Sequence, residues 1–390
     1  MHSGGTHILN PRVRGMRCLK CGAEYPVGDY FFGCPSCLEQ GENSAVTFLY
    51  NGAATIDTSK KGWARYAAML PYEDTVTLGE GNTPVLSLPK LAEDVGVAAV
   101  YTKNEFQNPT GSHKDRMNPF IVARAAAAGY ATVTCASSGN EAASLAAYAA
   151  AEGLKCVNVS TESIPAHWKL ASDQCGAELV LVPTSPDRLR YQREHMDGKW
   201  YPATNLLDVP TASSAWGIQG YKTLAYELFD EFGVALPDCI MIPTCRGDLL
   251  YGVYEGFADL RRYGYITALP KLVACEPIPR LEVILSGEAT HKDTFPGQSS
   301  RASSIGGATA TWQSEVALRE TKGFAVSVPD HEAVEDVAEM GRYGLYLETS
   351  SAIVYGCLKK AVREGFIREN DSVLLVLTSN GYKNAVGLFE

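Results

Sequence analysis

The chain has 390 residues, of which 46% are hydrophobic and 20% are charged, and its formal net charge is −10 at pH 7. This composition is typical of a globular protein with a large core, and the length suits two domains with a small appendage. The acidic balance argues against non-specific binding to nucleic acid or to an anionic membrane surface. No apolar run approaches the roughly 20 residues that span a bilayer, and residues 1–10 lack the hydrophobic region of a signal peptide. We therefore expect a cytoplasmic protein with no nucleic-acid or membrane partner.

The N-terminal segment carries two Cys-x-x-Cys pairs with twelve residues between them, formed by Cys18, Cys21, Cys34 and Cys37. Each pair offers two thiolates from one turn, and two pairs complete a tetrahedral zinc site that is structural because four protein ligands fill it. We predict a zinc ribbon within residues 1–48. A ribbon that has lost its metal, or cysteines oxidised in pairs, is the alternative. The other seven cysteines are scattered through apparent core segments, as expected of reduced thiols in a cytoplasm.

Residues 45–75 form a mixed connector, and a glycine-rich turn follows at 77–84. A predicted strand at 100–103 leads into residues 108–116, Asn-Pro-Thr-Gly-Ser-His-Lys-Asp-Arg. Asn-Pro and Thr-Gly are turn residues, Ser112 can cap a helix, and the alanine-rich run that follows predicts a buried helix at 117–128.

Lys114 falls in the first turn of the helix that Ser112 would cap, directly before the apolar run. The positive end of a helix dipole disfavours the protonated form of a lysine, and a desolvated amine is a nucleophile able to form a Schiff base. An ordinary surface lysine is the alternative, and this segment alone favours it.

From residue 130 the sequence alternates strand and helix patterns, which predicts a doubly wound α/β protein. We predict strands at 131–136, 156–160, 178–182, 238–243, 271–275, 325–328 and 372–377, and helices at 141–152, 168–175, 249–261 and from 330. Residues 286–311 are rich in Gly, Ser, Thr and Ala without periodicity, which predicts a mobile loop.

Two predicted strand-to-helix turns have the chemistry of anion sites. Residues 137–140, Ser-Ser-Gly-Asn, and residues 244–248, Thr-Cys-Arg-Gly-Asp, each place short polar side chains and a glycine before a helix. Backbone N–H groups in such turns bind phosphate or carboxylate, and Arg246 adds positive charge to the second turn. A plain helix cap explains the first turn as well.

Six segments in this order resemble the threonine synthase family of fold-type II pyridoxal-phosphate (PLP) enzymes. They are Gly-Glu-Gly-Asn-Thr-Pro at 79–84, the lysine segment at 108–116, Ser-Ser-Gly-Asn at 137–140, Pro-Thr-Cys-Arg-Gly-Asp at 243–248, Glu-Thr-Ser-Ser-Ala at 348–352 and Leu-Thr-Ser-Asn-Gly at 377–381. The resemblance runs from Cys18 to the C-terminus and includes the ribbon-like segment of some members. It implies a tryptophan-synthase-β-like fold in which two doubly wound domains close over the cofactor.

The resemblance also implies roles for individual residues. Lys114 would hold PLP as a Schiff base and move protons at the substrate's carbons. Asn140 would bond the ring hydroxyl oxygen, and a neutral hydroxyl at Thr378 would face the pyridine nitrogen. The substrate's α-carboxylate would bind Ser137 and Ser138. The cofactor phosphate would bind the turn made by Thr244, Cys245, Arg246, Gly247 and Asp248.

The chain departs from the family pattern in four places. His113 stands where the family commonly has Phe, with stacking or a neutral hydrogen bond as its expected role and titration as the alternative. The phosphate turn lacks the usual run of glycines, and residues 286–311 match no known substrate. Glu141, Glu178 and Asp208 stand where threonine synthases bind the substrate's phosphate, and three carboxylates would repel a dianion. The alternative is that this pairing of positions slips, so that these are helix-cap or surface carboxylates.

We predict a ribbon at residues 1–48, a smaller α/β domain at 90–205 with Lys114 and Asn140, and a larger one formed by 49–89 and 206–390. The expected protein is a homodimeric PLP-dependent lyase that eliminates a β- or γ-substituent from an amino acid and then adds water or another nucleophile. Three functions compete. They are a threonine synthase acting on O-phosphohomoserine, a β-eliminating or β-replacing relative (cysteate-synthase-like, ammonia-lyase or dehydratase) with a non-phosphorylated substrate, and a non-catalytic binding protein, against which the intact Lys114 and Asn140 argue.

Overall fold

The computed structural model describes residues 7–196, 198–297, 299 and 301–384, and its elements are numbered here in chain order. The strands are β1 Val13–Cys18, β2 Glu24–Tyr25, β3 Val46–Tyr50, β4 Val85–Ser87, β5 Ala99–Lys103, β6 Thr132–Ala136, β7 Lys155–Thr161, β8 Glu178–Val182, β9 Trp200–Pro202, β10 Cys239–Pro243, β11 Lys271–Glu276, β12 Phe324–Ser327 and β13 Ser372–Val376. The α-helices are α1 Pro35–Leu38, α2 Pro89–Val95, α3 Asn118–Ala127, α4 Asn140–Glu152, α5 Ala166–Gln174, α6 Ser185–Glu194, α7 Ala215–Phe232, α8 Asp248–Arg262, α9 Arg280–Ser286, α10 Trp312–Glu320, α11 Asp330–Gly341 and α12 Thr349–Arg363. In these described ranges, the helices are all too short or too polar to cross a membrane.

The chain divides into two compact units, and each is built from two separate stretches. Unit 1 comprises residues 1–81 and 114–223, and unit 2 comprises residues 82–113 and 224–390. These bounds differ from the predicted domains, which assign residues 90–113 to the smaller domain. Strand β5 lies in that stretch and pairs with β4 and β13 of unit 2. The apolar pattern of a strand shows that it is buried, but does not show which neighbour it pairs with.

Unit 1 contains two sheets. The small antiparallel sheet of the ribbon has the order β2-β1-β3, and a four-stranded parallel sheet has the order β8-β7-β6-β9. Strand β6 is buried for most of its length and pairs in register with β7, for example Val133 with Cys156. Because α4 begins four residues after β6 ends, the turn at 137–139 lies at the carboxyl edge of this sheet, where parallel α/β sheets bind their ligands.

The segment around Lys114 packs closely against α7. A Cβ atom at Gly220 would lie 1.9 Å from the Arg116 carbonyl oxygen, and one at Gly217 would lie 2.8 Å from the Ile121 side chain. These two glycines therefore let the helix approach the backbone that follows Lys114. Lys114 itself lies in a short 3₁₀ turn, His113–Arg116, and α3 begins only at Asn118. The prediction that Lys114 occupies the first turn of the apolar helix is therefore wrong by one turn.

Unit 2 is built on a six-stranded sheet of order β12-β11-β10-β13-β5-β4, in which every adjacent pair is parallel except β4 with β5. Strand β10 is buried along its whole length, as its apolar sequence predicts for a central strand. Thr244 follows β10 directly, and Thr378 follows the neighbouring strand β13 by two residues. Both threonines consequently lie at the carboxyl edge of adjacent parallel strands.

Residues 286–311 contain a single short 3₁₀ turn, Ser303–Ile305, within their described part. The Asp330 carboxylate accepts hydrogen bonds from the backbone N–H groups of Arg301 (3.2 Å) and Ala302 (3.1 Å), and also from the Ser299 hydroxyl. Ala302 and Ala310 are fully buried. The described part of this segment therefore packs into unit 2, although its backbone is irregular as predicted.

Candidate active site

The Lys114 amine is the centre of the candidate site in unit 1. Its Nζ donates to the Tyr221 hydroxyl at 3.3 Å and lies 3.8 Å from a carboxylate oxygen of Glu141. The Lys114 side chain is 22% exposed, whereas that of Glu141 is 6% exposed. An accessible amine beside a carboxylate and a phenol is equipped to react with a carbonyl group and to exchange protons.

Hydrogen bonds fix the backbone around this lysine. The Ser144 hydroxyl of α4 donates to the Asp115 carboxylate at 2.6 Å. In the orientation that satisfies both ends of its amide, Asn118 Nδ2 donates to the Glu141 carboxylate at 3.1 Å, and its oxygen accepts from the Leu145 N–H of α4 at 3.3 Å. Asp115, Asn118 and Ser144 are all buried. The lysine backbone is thus held to α4, the helix that also carries Asn140 and Glu141.

The turn at 137–139 leads into α4, whose first residue is the buried Asn140. Ser138 Oγ accepts hydrogen bonds from the Ser160 hydroxyl at 2.6 Å and from the Arg188 guanidinium at 3.3 Å. Sequence reasoning did not find Arg188, because it lies on α6, a polar helix that was not predicted. A cation beside hydroxyl groups and a helix N-terminus makes this turn suitable for a carboxylate or another anion.

The turn at 244–248 in unit 2 is held in a defined shape. The Arg246 carbonyl oxygen accepts from the hydroxyl groups of Thr311 (2.6 Å) and Ser314 (3.1 Å). Gly247 has φ +73°, and a Cβ there would lie 2.2 Å from Ser314 Oγ, so the position requires glycine. Asp248 begins α8, so the turn leads into a helix N-terminus. The Arg246 Nε is buried and has no hydrogen-bond partner among the described residues, which fits a turn that binds an anion such as a phosphate.

A buried arginine supports this turn from the protein interior, and sequence reasoning also missed it. Arg280 is fully buried and donates to the Thr244 carbonyl oxygen at 2.9 Å and to Cys245 Sγ at 3.2 Å. Its Nε donates to the Glu276 carboxylate at 2.9 Å. The Arg280 guanidinium therefore holds the Thr244 carbonyl oxygen and the Cys245 sulfur in place, in a turn that lacks the usual run of glycines.

Thr378 and His113 contact each other within unit 2. The Thr378 carbonyl oxygen accepts from the His113 backbone N–H at 3.0 Å, and His113 Nδ1 lies 3.4 Å from the same oxygen. Ser112 and Ser379 form an isolated antiparallel bridge beside them. The strand end that carries Thr378 is therefore attached to the residues directly before Lys114 in the chain.

Of the three acidic residues predicted to oppose a phosphate, only Glu141 is buried. Glu178 is exposed at the start of β8, and Asp208 is exposed and lies 3.5 Å from Arg193. Solvent screens charges of this kind. The electrostatic argument against a phosphate ester therefore depends on Glu141 alone.

The four N-terminal cysteines come together as the spacing predicts. Their sulfur atoms all lie within 4.8 Å of one another, with Cys18 and Cys37 3.6 Å apart and Cys21 and Cys34 3.7 Å apart. A zinc tetrahedron with bonds of about 2.3 Å has edges of roughly 3.8 Å, so the four residues fit this metal. Burial opposes ionisation of Cys18, but a hydrogen bond shared with the Ser44 hydroxyl and bonds from two backbone N–H groups lower the pKa of its thiol to about 6. All eleven cysteines are free, so the alternative of oxidised pairs is not observed.

Parallel strands with polar turns at their carboxyl edges define an α/β protein of the class that binds its ligands at those edges. A family model described as pyridoxal-phosphate dependent enzyme matches residues 76–379. The chain belongs to this family. PLP is consequently its cofactor, and Lys114 and the two turns fit it chemically.

Similarity to threonine synthases extends over nearly the whole chain. The chain is 30% identical to threonine synthase of Methanocaldococcus jannaschii, and the alignment covers 94% of this chain and 92% of that enzyme. It is 33% identical to threonine synthase of Halalkalibacterium halodurans, covering 82% and 88%. These relatives confirm the resemblance drawn from the six segments.

Solved structures confirm the fold class. Maize serine racemase superposes with a TM-score of 0.67 at 19% identity, covering 86% of this chain and 95% of that one. A fungal L-serine ammonia-lyase from Rhizomucor miehei gives a TM-score of 0.66 at 19% identity, covering 79% and 96%. The chain therefore has the fold-type II architecture. Its family and its threonine synthase relatives, rather than these structures, support PLP-dependent elimination or replacement on an amino acid.

Proposed function

We propose that this chain is a threonine-synthase-like lyase in which Lys114 holds PLP and carries protons to and from the substrate's carbons. The observation that carries the proposal is the Lys114 amine, which is accessible and lies 3.3 Å from the Tyr221 hydroxyl and 3.8 Å from the Glu141 carboxylate. Bound PLP withdraws electrons from the substrate's α-carbon, so that a β- or γ-substituent can leave. The protein must then supply a base, an anion site and a defined cofactor orientation.

The remaining residues take the following roles in the proposal. Asn140 bonds the hydroxyl oxygen of the cofactor ring, and Thr378 faces the ring nitrogen with a neutral hydroxyl. The Ser137–Ser138 turn binds the substrate's α-carboxylate, supported by Arg188 at 3.3 Å from Ser138 Oγ. The cofactor phosphate binds the turn formed by Thr244, Cys245, Arg246, Gly247 and Asp248.

O-phosphohomoserine is the first candidate substrate, supported by the threonine synthases among the relatives. The test measures inorganic phosphate and threonine released from it by the purified enzyme. Lys114→Ala should give a folded protein that holds PLP only non-covalently and does not turn over. Borohydride should fix PLP to Lys114 in the unmodified protein and not in the variant. An active Lys114→Ala enzyme would remove the proposed role of this residue.

A non-phosphorylated amino acid is the second candidate, favoured by one observation. Glu141 is a buried carboxylate beside Lys114, and a negative charge there opposes binding of a phosphate dianion. A substrate with a neutral or cationic distal group avoids this repulsion. Comparing kcat/KM for O-phosphohomoserine with that for a panel of β-substituted amino acids separates the candidates. Efficient threonine formation contradicts the second one.

We further propose a structural zinc ion at Cys18, Cys21, Cys34 and Cys37, and a homodimer that functions in the cytoplasm. The tetrahedral spacing of the four sulfurs supports the metal. The eleven free cysteines suit a reducing compartment. Metal analysis should give about one zinc per chain, and light scattering should give the mass of a dimer.

A further inference from the structure

We infer that Glu141 is a positioning residue that stabilises positive charge on the Lys114 nitrogen and thereby sets its basicity during the reaction. The inference rests on the proposed function, because it takes Lys114 as the residue that holds the cofactor. It is independent of which substrate the enzyme uses.

The position of Glu141 favours a negatively charged side chain. It is the second residue of α4, a helix of 13 residues, where the N-terminal end of the helix dipole attracts negative charge. Its side chain is 94% buried and one carboxylate oxygen lies 3.8 Å from Lys114 Nζ. Burying a carboxylate is costly unless a cation and hydrogen bonds offset the lost hydration. The helix terminus and Lys114 together provide that compensation.

The other titratable groups near Lys114 and Glu141 are neutral, bound by another side chain, or positively charged. Tyr221 contributes a neutral hydroxyl 3.3 Å from Nζ, and Asp115 is bound by the Ser144 hydroxyl at 2.6 Å. Burial raises the pKa of Cys156 to about 12 and that of Cys135 well above its ordinary value, so both thiols are neutral. Arg188 supplies a cation at the turn before α4, where it donates to Ser138 Oγ at 3.3 Å.

The pairing has a direct chemical use. When Lys114 acts as base, the lone pair of Nζ forms a new N–H bond, and the electron pair of the broken C–H bond stays on the substrate's carbon. Nζ becomes positively charged in this step. A fixed carboxylate at 3.8 Å favours that charged state, and it favours protonation equally when the nitrogen is bonded to the cofactor. The same carboxylate also limits where the flexible lysine side chain can point.

The experiment follows the visible spectrum of the cofactor-loaded protein as a function of pH. An opposite charge within a few ångströms shifts such an equilibrium by about one to three pH units. The midpoint of the spectral change should therefore fall by about one pH unit or more in Glu141→Gln. Glu141→Asp keeps the charge and should lie between the two. Activity should fall in Glu141→Gln and recover in part in Glu141→Asp.

Glu152→Gln is the matched control. Glu152 is the last residue of the same helix and is also buried, but its carboxylate pairs with His7 at 2.8 Å. Its replacement should leave the spectral midpoint unchanged. An unchanged midpoint in Glu141→Gln overturns the inference. If that variant does not fold, Glu141→Ala takes its place, and an unchanged midpoint in that variant overturns the inference in the same way. Failure of borohydride to fix PLP at Lys114 of the unmodified protein would overturn the proposed function, which is a separate result.

Discussion

At the residue scale, Arg280 shows how a turn that lacks the expected glycines is supported. Its guanidinium and the Glu276 carboxylate are both fully buried, with 2.9 Å between Nε and Oε1. The same guanidinium donates to the Thr244 carbonyl oxygen and to Cys245 Sγ. Removing one partner of a buried ion pair leaves an uncompensated charge, which costs more than the pair itself contributes.

Arg280→Met should therefore reduce the free energy of unfolding by about 3–5 kcal/mol and weaken PLP binding. Urea unfolding of the cofactor-free protein measures the first effect, and fluorescence titration with PLP measures the second. In the double variant Arg280→Met, Glu276→Gln the buried charge is absent, so much of the stability should return while PLP binding stays weak. A single variant as stable as the unmodified protein would contradict this role for the pair.

At the element scale, the contact between α11 and α12 contains a buried carboxyl group. Asp336 of α11 accepts a hydrogen bond from the Gly356 N–H of α12 at 3.2 Å, and a Cβ at Gly356 would lie 2.5 Å from the same oxygen. Burial raises the pKa of Asp336 to about 8, although the Gly356 bond and Lys359 oppose the shift. The two helices therefore approach each other around a carboxyl group that keeps its proton at neutral pH.

This raised pKa predicts a pH dependence of stability. The folded state binds the proton more tightly than the unfolded state, whose pKa is near the ordinary value of 3.8. The stabilisation is complete below that value and is lost as pH rises towards about 8. Asp336→Asn should remove this dependence. The free energy of unfolding of the variant, relative to that of the unmodified protein, should therefore be higher at pH 8–9 than at pH 5 by on the order of a few kcal/mol. Urea unfolding at several pH values measures it, with Glu320→Gln, an exposed residue at the end of α10, as a control that should keep the original slope.

At the scale of the whole molecule, the ribbon is attached to the helix that follows Lys114. Asp29 lies between the two cysteine pairs and accepts from Arg124 of α3, with 3.0 Å to Nε and 2.6 Å to Nη2. The Tyr201 hydroxyl also donates to Asp29 at 3.1 Å, and Trp216 Nε1 donates to the Gly28 carbonyl oxygen at 3.2 Å. The loop between the two cysteine pairs therefore contacts α3 directly, within unit 1, and the proposed zinc would hold both ends of this loop.

Removing the metal should consequently loosen α3. Chelation should lower the thermal midpoint of the cofactor-free protein and speed hydrogen exchange of α3 amides, because the ribbon loop no longer holds Arg124. Asp29→Asn should increase exchange in α3 while zinc stays bound. Glu24→Gln, which breaks an exposed ion pair with Arg14 in the ribbon, should leave α3 unchanged. Metal-free protein with unaltered exchange in α3 would show that the ribbon does not support this helix.

Sequence patterns predicted eight of the strands, and missed β9, the polar helix α6 and the long helix α7. The predicted strands correspond to β5 to β8 and β10 to β13 because each is a short apolar run. Strand β9 has three residues, and α6 has no apolar stripe, although the Thr184–Asp187 capping box before it was a readable signal.

The sequence predicted those residues of the candidate site that lie in local motifs, and missed those that distant parts of the chain contribute. Lys114, Asn140 and the turn at 244–248 lie in local motifs and were predicted from them. Arg188 and Arg280 act on residues 50 and 36 positions away, so no local pattern indicates them. Tyr221 was missed for a similar reason, since it reaches Lys114 only because α7 packs against that segment.

The order of the strands in unit 2 has a consequence for how the protein is made. Strand β5 ends at Lys103, but its parallel neighbour β13 begins only at Ser372. A ribosome extends the chain from its N-terminus, so the four-stranded sheet of unit 1 is fully synthesised while β5 still lacks this partner. Pairings of such large sequence separation form slowly, and meanwhile β5, which can pair with β4 on one side only, has an open edge that is exposed to aggregation. Nascent chains that stop before β13 should therefore depend on chaperones that shield this strand until synthesis is complete.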